Sequence, residues 1–445
     1  MKINTNFVTW FRSVAPYVNA FRGRTFVIVF GGEVMADGKS VELFHDFNLL
    51  ASLGVRLVLV HGARPQIDSR LKERKLQSKY VKGMRVTDAL TLQFVKETMG
   101  RLRIEIEALL SMGLSKPPIA NSAIRIANGN FITARPIGVV DGIDLMYTGE
   151  VRKVDAAAIR SRLEQGEVVL LSPLGYSQTG EIFTLTSENV AIKVAIALKA
   201  EKLIFLMDTP GIKGKFTSKS NTLLRELTLA EGRVLLSKLA NNTVKLSEDI
   251  QQYLPCAVQA CMGGVARVHL ISRHVDGAVL QELFTHKGIG SMISRGPLQT
   301  LRSAEIEDVG GILQLIEPLE AEGVLVGRNR ELLEIEIDRF IVLEHDHMIV
   351  GCAALCLFSG TRVGELTCLV VHSDYRNTGC GDTLLKNIEA KAKNQGIKKL
   401  FVLTTRAAHW FIERGFKETS VEKLPKVKQG IYNYKRRSKV FMRNI

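Results

Sequence analysis

The sequence predicts an α/β protein in two parts, a three-layer αβα domain over residues 23–293 and a smaller α+β domain over 301–445. Two observations predict it. From Thr25 to Met207, short near-continuous apolar runs alternate with helical patterns. That is the signature of parallel strands covered on both faces, because parallel neighbours need crossovers. After a break at 294–300, SRGPLQT, apolar strands follow one another more directly, and a strand, a glycine-bearing turn and a helix run together over 365–385.

Length and composition agree with this reading. A chain of 445 residues exceeds what one core accommodates. Its 46% hydrophobic and 24% charged residues are those of an ordinary globular protein, and no apolar run reaches the ~20 residues that span a bilayer. With neither a membrane span nor a signal-peptide pattern, a cytoplasmic protein is expected. The formal charge of +15 is scattered apart from Lys435, Arg436, Arg437 and Lys439, so small polyanions fit better than nucleic acid. Six cysteines without paired C-x-x-C spacing read as reduced thiols, and no metal site is expected.

In chain order, Phe7, Trp10, Phe11, Val14, Ala15 and Val18 form a helical stripe, with a kink expected at Pro16. This helix, residues 1–22, either covers its own domain or docks on another subunit. Strands follow at 25–30, 56–60, 168–172 and 202–207, with helices near 41–53, after Pro65, at 88–112 and at 187–198. Asn128-Gly129-Asn130 and Thr148-Gly149-Glu150 read as hairpin turns of a small antiparallel excursion. Beyond the 294–300 linker come a strand near Leu301, a helix at 307–321, strands at 339–344 and 348–358, and the run 366–371. The His345-x-His347 pair, at a hairpin tip, reads as a solvated turn.

The run 366–371 passes through Arg376-Asn377-Thr378-Gly379-Cys380-Gly381 into a helix with apolar Leu384, Leu385, Ile388 and Ala392. Such a turn gathers backbone N–H groups at a helix N-terminus, where a phosphate is favoured. With the strand at 400–404 and the segment ending in Arg414-Gly415-Phe416, residues 298–445 resemble the GNAT superfamily of acetyl-CoA-dependent N-acetyltransferases. The resemblance implies acetyl-CoA, its pyrophosphate on the turn and its acyl chain between the two strands, near Cys368, Leu369, Val370 and Val371. Direct transfer to an amine needs a base, an oxyanion donor and an acid. Glu365, at the open end of the strand, is the expected base. A backbone N–H near Leu369 is the donor, and Thr404 the acid, ahead of Thr405, Tyr432 and Tyr434. A Cys368–His372 nucleophilic pair is the less favoured alternative, since a cysteine inside LTCLVV more often packs in a core.

Gly31-Gly32, the loop His61 to Ile67 and the segment Lys82 to Asp88 resemble the amino-acid kinase family, specifically acetylglutamate kinase, over residues 20–293. The kinase lysine before the glycine pair is here Phe30, which cannot neutralise a transferring phosphoryl group, so no kinase activity is expected. Further matches around Arg267-Val268-His269, Glu282 to Thr285 and Gly288 to Ile293 resemble arginine-inhibited members. They imply an arginine site of Tyr17, Lys202, His269, Glu282 and Gly288, with Glu282 pairing the guanidinium.

The two resemblances together match the bacterial N-acetylglutamate synthase family. This implies L-glutamate as acceptor, held by Val326, Arg328, Arg436 and Ser438, with L-arginine as feedback effector and a hexamer as the assembly. A working acetylglutamate kinase and a non-catalytic arginine sensor are the alternatives.

Overall fold

The computed structural model describes residues 14–37, 40–112, 124–214, 222–241, 243–244, 246–285, 288–296, 299–345 and 348–445. Two compact units divide the chain, Met1–Pro297 and Leu298–Ile445.

An eight-stranded sheet forms the first unit's centre: β1 (Thr25–Phe30), β2 (Arg56–His61), β3 (Ile126–Ala127), β4 (Val168–Leu171), β5 (Lys202–Met207), β6 (Glu226–Thr228), β7 (Arg267–Ser272) and β8 (Ser291–Ser294). Their order is β6-β8-β7-β5-β1-β2-β4-β3. Every neighbouring pair is parallel except β7 with β8. The alternation within β1 shows why three layers result. Val27 and Val29 join a core with helices Ala156–Glu164, Ser187–Leu198 and Glu248–Met262. Phe30, on the other face, packs against Phe44 and Phe47 of helix Ser40–Ser52.

Local chemistry sets the element ends. Asp88 caps helix Ala89–Ser111 by accepting from the Thr91 amide, and Thr186 caps Ser187–Leu198 through Asn189. Val14, Tyr17 and Phe21, on helix 14–21, are buried, and Phe21 packs on Phe26 and Phe284. This part of the N-terminal stripe covers its own domain; Phe7, Trp10 and Phe11 lie outside the described residues.

Two turn readings need correcting. Asn128-Gly129-Asn130 is not a hairpin, because it carries the chain from β3 to Ile132–Pro136 in a separate four-stranded sheet. Gly149 and Glu150 are paired inside strand Gly149–Val154. The actual tight turn is Asp141-Gly142, at φ 51° and 79°, between Val139–Val140 and Ile143–Asp144. Both the parallel and antiparallel pairings occur in the four-stranded sheet, so it is mixed.

A seven-stranded sheet organises the second unit: β9 (Gln299–Ser303), β10 (Phe340–His345), β11 (Met348–Leu357), β12 (Val363–Val371), β13 (Lys399–Thr404), β14 (Lys417–Thr419) and β15 (Lys439–Asn444). The order is β9-β10-β11-β12-β13-β15-β14, antiparallel except for β12 with β13. Helix Cys380–Asn394 covers one face through Leu384, Leu385, Ile388 and Ala392. Helix Val309–Ala321 covers the other through Val309, Ile312, Leu315 and Ile316.

Candidate active site

The parallel pair in the second sheet is incomplete. Strands β12 and β13 are paired only at Val363–Lys399, Gly364–Leu400 and Glu365–Phe401. Beyond Glu365 no pairing joins these two strands to each other, which leaves a notch between them. Glu365 therefore stands at the apex of the notch, not at the open end of its strand as the sequence suggested. It is buried, 6% exposed, and its Oε2 lies 2.8 Å from Lys428 Nζ.

A bulge then reshapes β12. Register shifts between Cys352 and Ala354 on the neighbouring strand, and Cys368 takes φ 51°. Leu366 faces helix Cys380–Asn394, whereas Cys368 and Val370 face helix Val309–Ala321. Leu369, next along, packs back toward the first helix. An irregular strand at this point leaves backbone groups out of the regular ladder.

The Cys368–His372 alternative finds no support in this geometry. Cys368 packs in a core beside Cys352, whose thiol lies 3.6 Å from the Cys368 carbonyl oxygen. Four strand residues span about 13 Å, too far for proton exchange. His372 Nδ1 instead accepts from the Asp374 amide.

On the facing strand, Thr404 Oγ1 accepts from the Ala407 amide at 2.9 Å, which leaves its proton free to donate elsewhere. Tyr432 donates to the Ser438 carbonyl at 2.5 Å, while Tyr434 is exposed.

At the wide end of the notch, the turn is built for close backbone approach. Asn377 at φ 65° and Gly379 at φ 89° are left-handed, and Gly379 directly precedes helix Cys380–Asn394. A Cβ on Gly379 would meet no atom within 4 Å, so the space before the helix is open. Thr378 Oγ1 braces the turn by donating to the Tyr375 carbonyl at 2.6 Å. One cluster here was not anticipated: Arg414 forks onto Asp382 in the first helical turn and lies 3.9 Å over the Trp410 ring. The Arg414 hydrogen bond holds the Asp382 carboxyl below its usual range. Trp410 in turn packs against Gly381, where an added Cβ would sit 3.0 Å from its Cζ2.

Of the residues expected to hold an amino acid, Arg328 Nη2 donates to Thr367 Oγ1 at 3.2 Å, two positions beyond Glu365 on the same face. Arg436 is half-buried, its Nη2 donating to the Val324 carbonyl, beside exposed Val326. The structure thus gathers Glu365, Thr367 and Arg328 on one face of β12, and Arg436 on the loop leading to Arg328. Lys428 is the residue that sequence reasoning missed. It lies 63 positions from its partner in KVKQG, a stretch without a recognisable pattern.

His345 is also corrected. It is 5% exposed and packs 5.1 Å from the Tyr375 ring, not a solvated turn residue; His347 lies outside the described residues. Among the described residues no group of three or more His, Cys, Asp or Glu could hold a metal ion.

In the first unit, Lys202, His269, Glu282 and Gly288 lie close together, and Tyr17 reaches them through Phe21. His269 Nδ1 lies 2.7 Å from Glu282 Oε1, and Lys202 Nζ lies 3.5 Å from His269 Nε2. Lys202 Nζ also sits 5.1 Å above Phe21, whose ring neighbours Tyr17. Glu282 Oε2 accepts the amides of Ile289 and Gly290, and a Cβ on Gly288 would fall 2.5 Å from that oxygen. Burial opposes the charge on Glu282, but the His269 hydrogen bond and the two amides outweigh it and hold the carboxyl down at about 2. Phe30, by contrast, is fully buried beneath the glycine pair.

Comparison with known proteins agrees with this division. Residues 24–272 match the amino acid kinase family, and residues 336–418 match the acetyltransferase (GNAT) domain. An amino-acid acetyltransferase of Ectopseudomonas mendocina is 49% identical over 98% of this chain and 99% of its own. One of Ralstonia nicotianae is 48% identical over 99% and 95%. The crystal structure of N-acetylglutamate synthase from Neisseria gonorrhoeae complexed with coenzyme A and L-arginine is 38% identical. It covers 99% of both chains at a TM-score of 0.81. The same enzyme with coenzyme A and N-acetyl-glutamate gives 0.60 over 98% of this chain. With both domains matched and near-full-length identity close to one half, the chain belongs to the amino-acid acetyltransferase family, an amino-acid-kinase-like domain joined to a GNAT domain.

Proposed function

We propose that the protein transfers the acetyl group of acetyl-CoA to the α-amine of L-glutamate, giving N-acetyl-L-glutamate and free CoA, the first step of arginine biosynthesis. The observation that carries this reading is the notch between β12 and β13, with a buried carboxylate at its apex and a left-handed turn leading into a helix N-terminus beyond the end of β12. The turn of Arg376 to Gly381 and the helix start behind it suit a diphosphate. Arg328, Arg436 and Ser438 then hold the carboxylates of the acceptor, for which a guanidinium fork is better shaped than an ammonium.

In this mechanism Glu365 takes a proton from the substrate ammonium, directly or through a water. The freed amine attacks the thioester carbonyl, and a backbone N–H near Leu369 stabilises the tetrahedral oxyanion. Collapse breaks the C–S bond, and the second proton of the attacking nitrogen passes through the Thr404 hydroxyl, as a relay, to the departing thiolate. The first unit acts as an arginine sensor through Tyr17, Lys202, His269, Glu282 and Gly288, and has no kinase chemistry because Phe30 replaces the cation that a phosphoryl group needs. A hexameric, cytoplasmic enzyme completes the reading.

Thiol release from acetyl-CoA, followed with and without L-glutamate, tests the central claim. Release dependent on L-glutamate, with turnover falling about 10²–10⁴-fold in Glu365→Gln while acetyl-CoA still binds, is the expected result. Release that ignores the amino acid would overturn it.

A further inference from the structure

A base at the apex of the notch has to be correctly aimed before substrate arrives, and one side chain outside the expected set touches Glu365. Lys428 belongs to the short helix Lys426–Gly430, entered through Pro425 and pinned by Gln429, whose side-chain amide donates to the carbonyls of Glu422 and Leu424. From this helix the Lys428 ammonium reaches Glu365 Oε2 at 2.8 Å, with 18% and 8% of the two side chains exposed. At that depth the loss of the cation would leave the carboxylate without its charge partner.

Of the charged groups nearby, Arg339 pairs with Glu336 and both act on Cys356, while Lys428 makes the ion pair with Glu365. Cys356, opposite it on β11, has a thiol pushed up by burial and then by the Glu365 charge itself. Phe401, opposite on β13, is apolar. Arg328 is engaged with Thr367. Chain order adds a second point: the segment after this helix carries Arg436 and Ser438, so the element holding Lys428 runs directly into residues proposed to grip the amino acid.

We propose that Lys428 is the positioning residue of the base, its ammonium holding Glu365 ionised and aimed into the notch, in the place that the substrate's α-ammonium takes over. This rests on the reading of Glu365 as base. Before substrate binds, Lys428 is the internal counterpart of the incoming amine. When the amino acid enters, one ammonium replaces another at the same oxygen, and only the substrate's can lose its proton to productive attack.

The test is the pH profile of kcat/KM for L-glutamate in the full-length enzyme, compared among wild type, Lys428→Met, Lys428→Gln and Lys428→Arg. The acid limb is expected to move upward by about one unit or more in the two neutral variants and to return toward wild type in Lys428→Arg. Lys428→Gln serves where Lys428→Met does not fold. An acid limb unmoved in a folded neutral variant overturns the proposal, as does a limb equally displaced in Lys428→Arg. Glu365→Gln separates the two ideas. Wild-type turnover in that variant sinks the assignment of the base, whereas abolished turnover with an unmoved Lys428→Met limb sinks the role of Lys428 alone.

Discussion

Glu282 illustrates how one buried side chain ties several segments together. Its two oxygens bridge His269 on β7 and the amides of Ile289 and Gly290 just before β8, so three segments meet at one carboxylate. Because its folded-state value lies near 2, below the ordinary 4.5, its contribution to stability is present above about 4.5 and lost as pH falls toward 2. Thermal unfolding of wild type and Glu282→Gln between pH 6 and 2.5 checks this. The gap in Tm between them is expected to be widest near neutral pH and to narrow in acid. A gap independent of pH would mean that the carboxyl's charge contributes nothing. Reading such a residue from sequence needed the family resemblance, since a lone glutamate in QELF is otherwise a solvated helix position.

At the scale of elements, the turn and helix at 376–394 show what was legible and what was not. The β-branched run, the glycines and the apolar helix positions each announce themselves locally, and helix Cys380–Asn394 buries the residues that its 3.6 periodicity selects. The bulge at Cys368 gives no such signal, because nothing in LTCLVV distinguishes a regular strand from one that switches faces. The Asn128-Gly129-Asn130 misreading has a related cause: turn residues mark a change of direction but do not say whether the flanking strands pair with each other. Gly379→Val probes the turn. A β-branched residue at φ 89° is strained, and its side chain would occupy the open space before the helix. The KM for acetyl-CoA should rise at least about tenfold, with a smaller change for L-glutamate. Equal effects on both substrates would count against a diphosphate at this position.

For the whole molecule, the proposed arginine site and the proposed acetyl-transfer site fall in different units, so the proposed feedback is a heterotropic coupling. Such coupling amounts to about 1–3 kcal/mol and is reciprocal. Calorimetric titration of L-arginine should therefore give an affinity altered about 5–150-fold by saturating CoA and N-acetyl-L-glutamate, with binding itself lost in Glu282→Gln. Identical arginine affinities in both conditions would show the two units to be thermodynamically independent. The bipartite architecture was legible because parallel and antiparallel sheets leave different hydrophobic rhythms. Long-range pairs such as Glu365–Lys428 were not, since charge partners 63 positions apart leave no periodic trace.

The ring of Phe30 bears on engineering. Wedged against Phe44 and Phe47 with none of its surface exposed, it is part of what holds helix Ser40–Ser52 to the sheet. Installing an ammonium there would strand a charge inside a cluster of phenyl rings, at a cost of several kcal/mol. Any designer wanting a lysine at that position would have to rebuild the neighbouring helix together with the strand end.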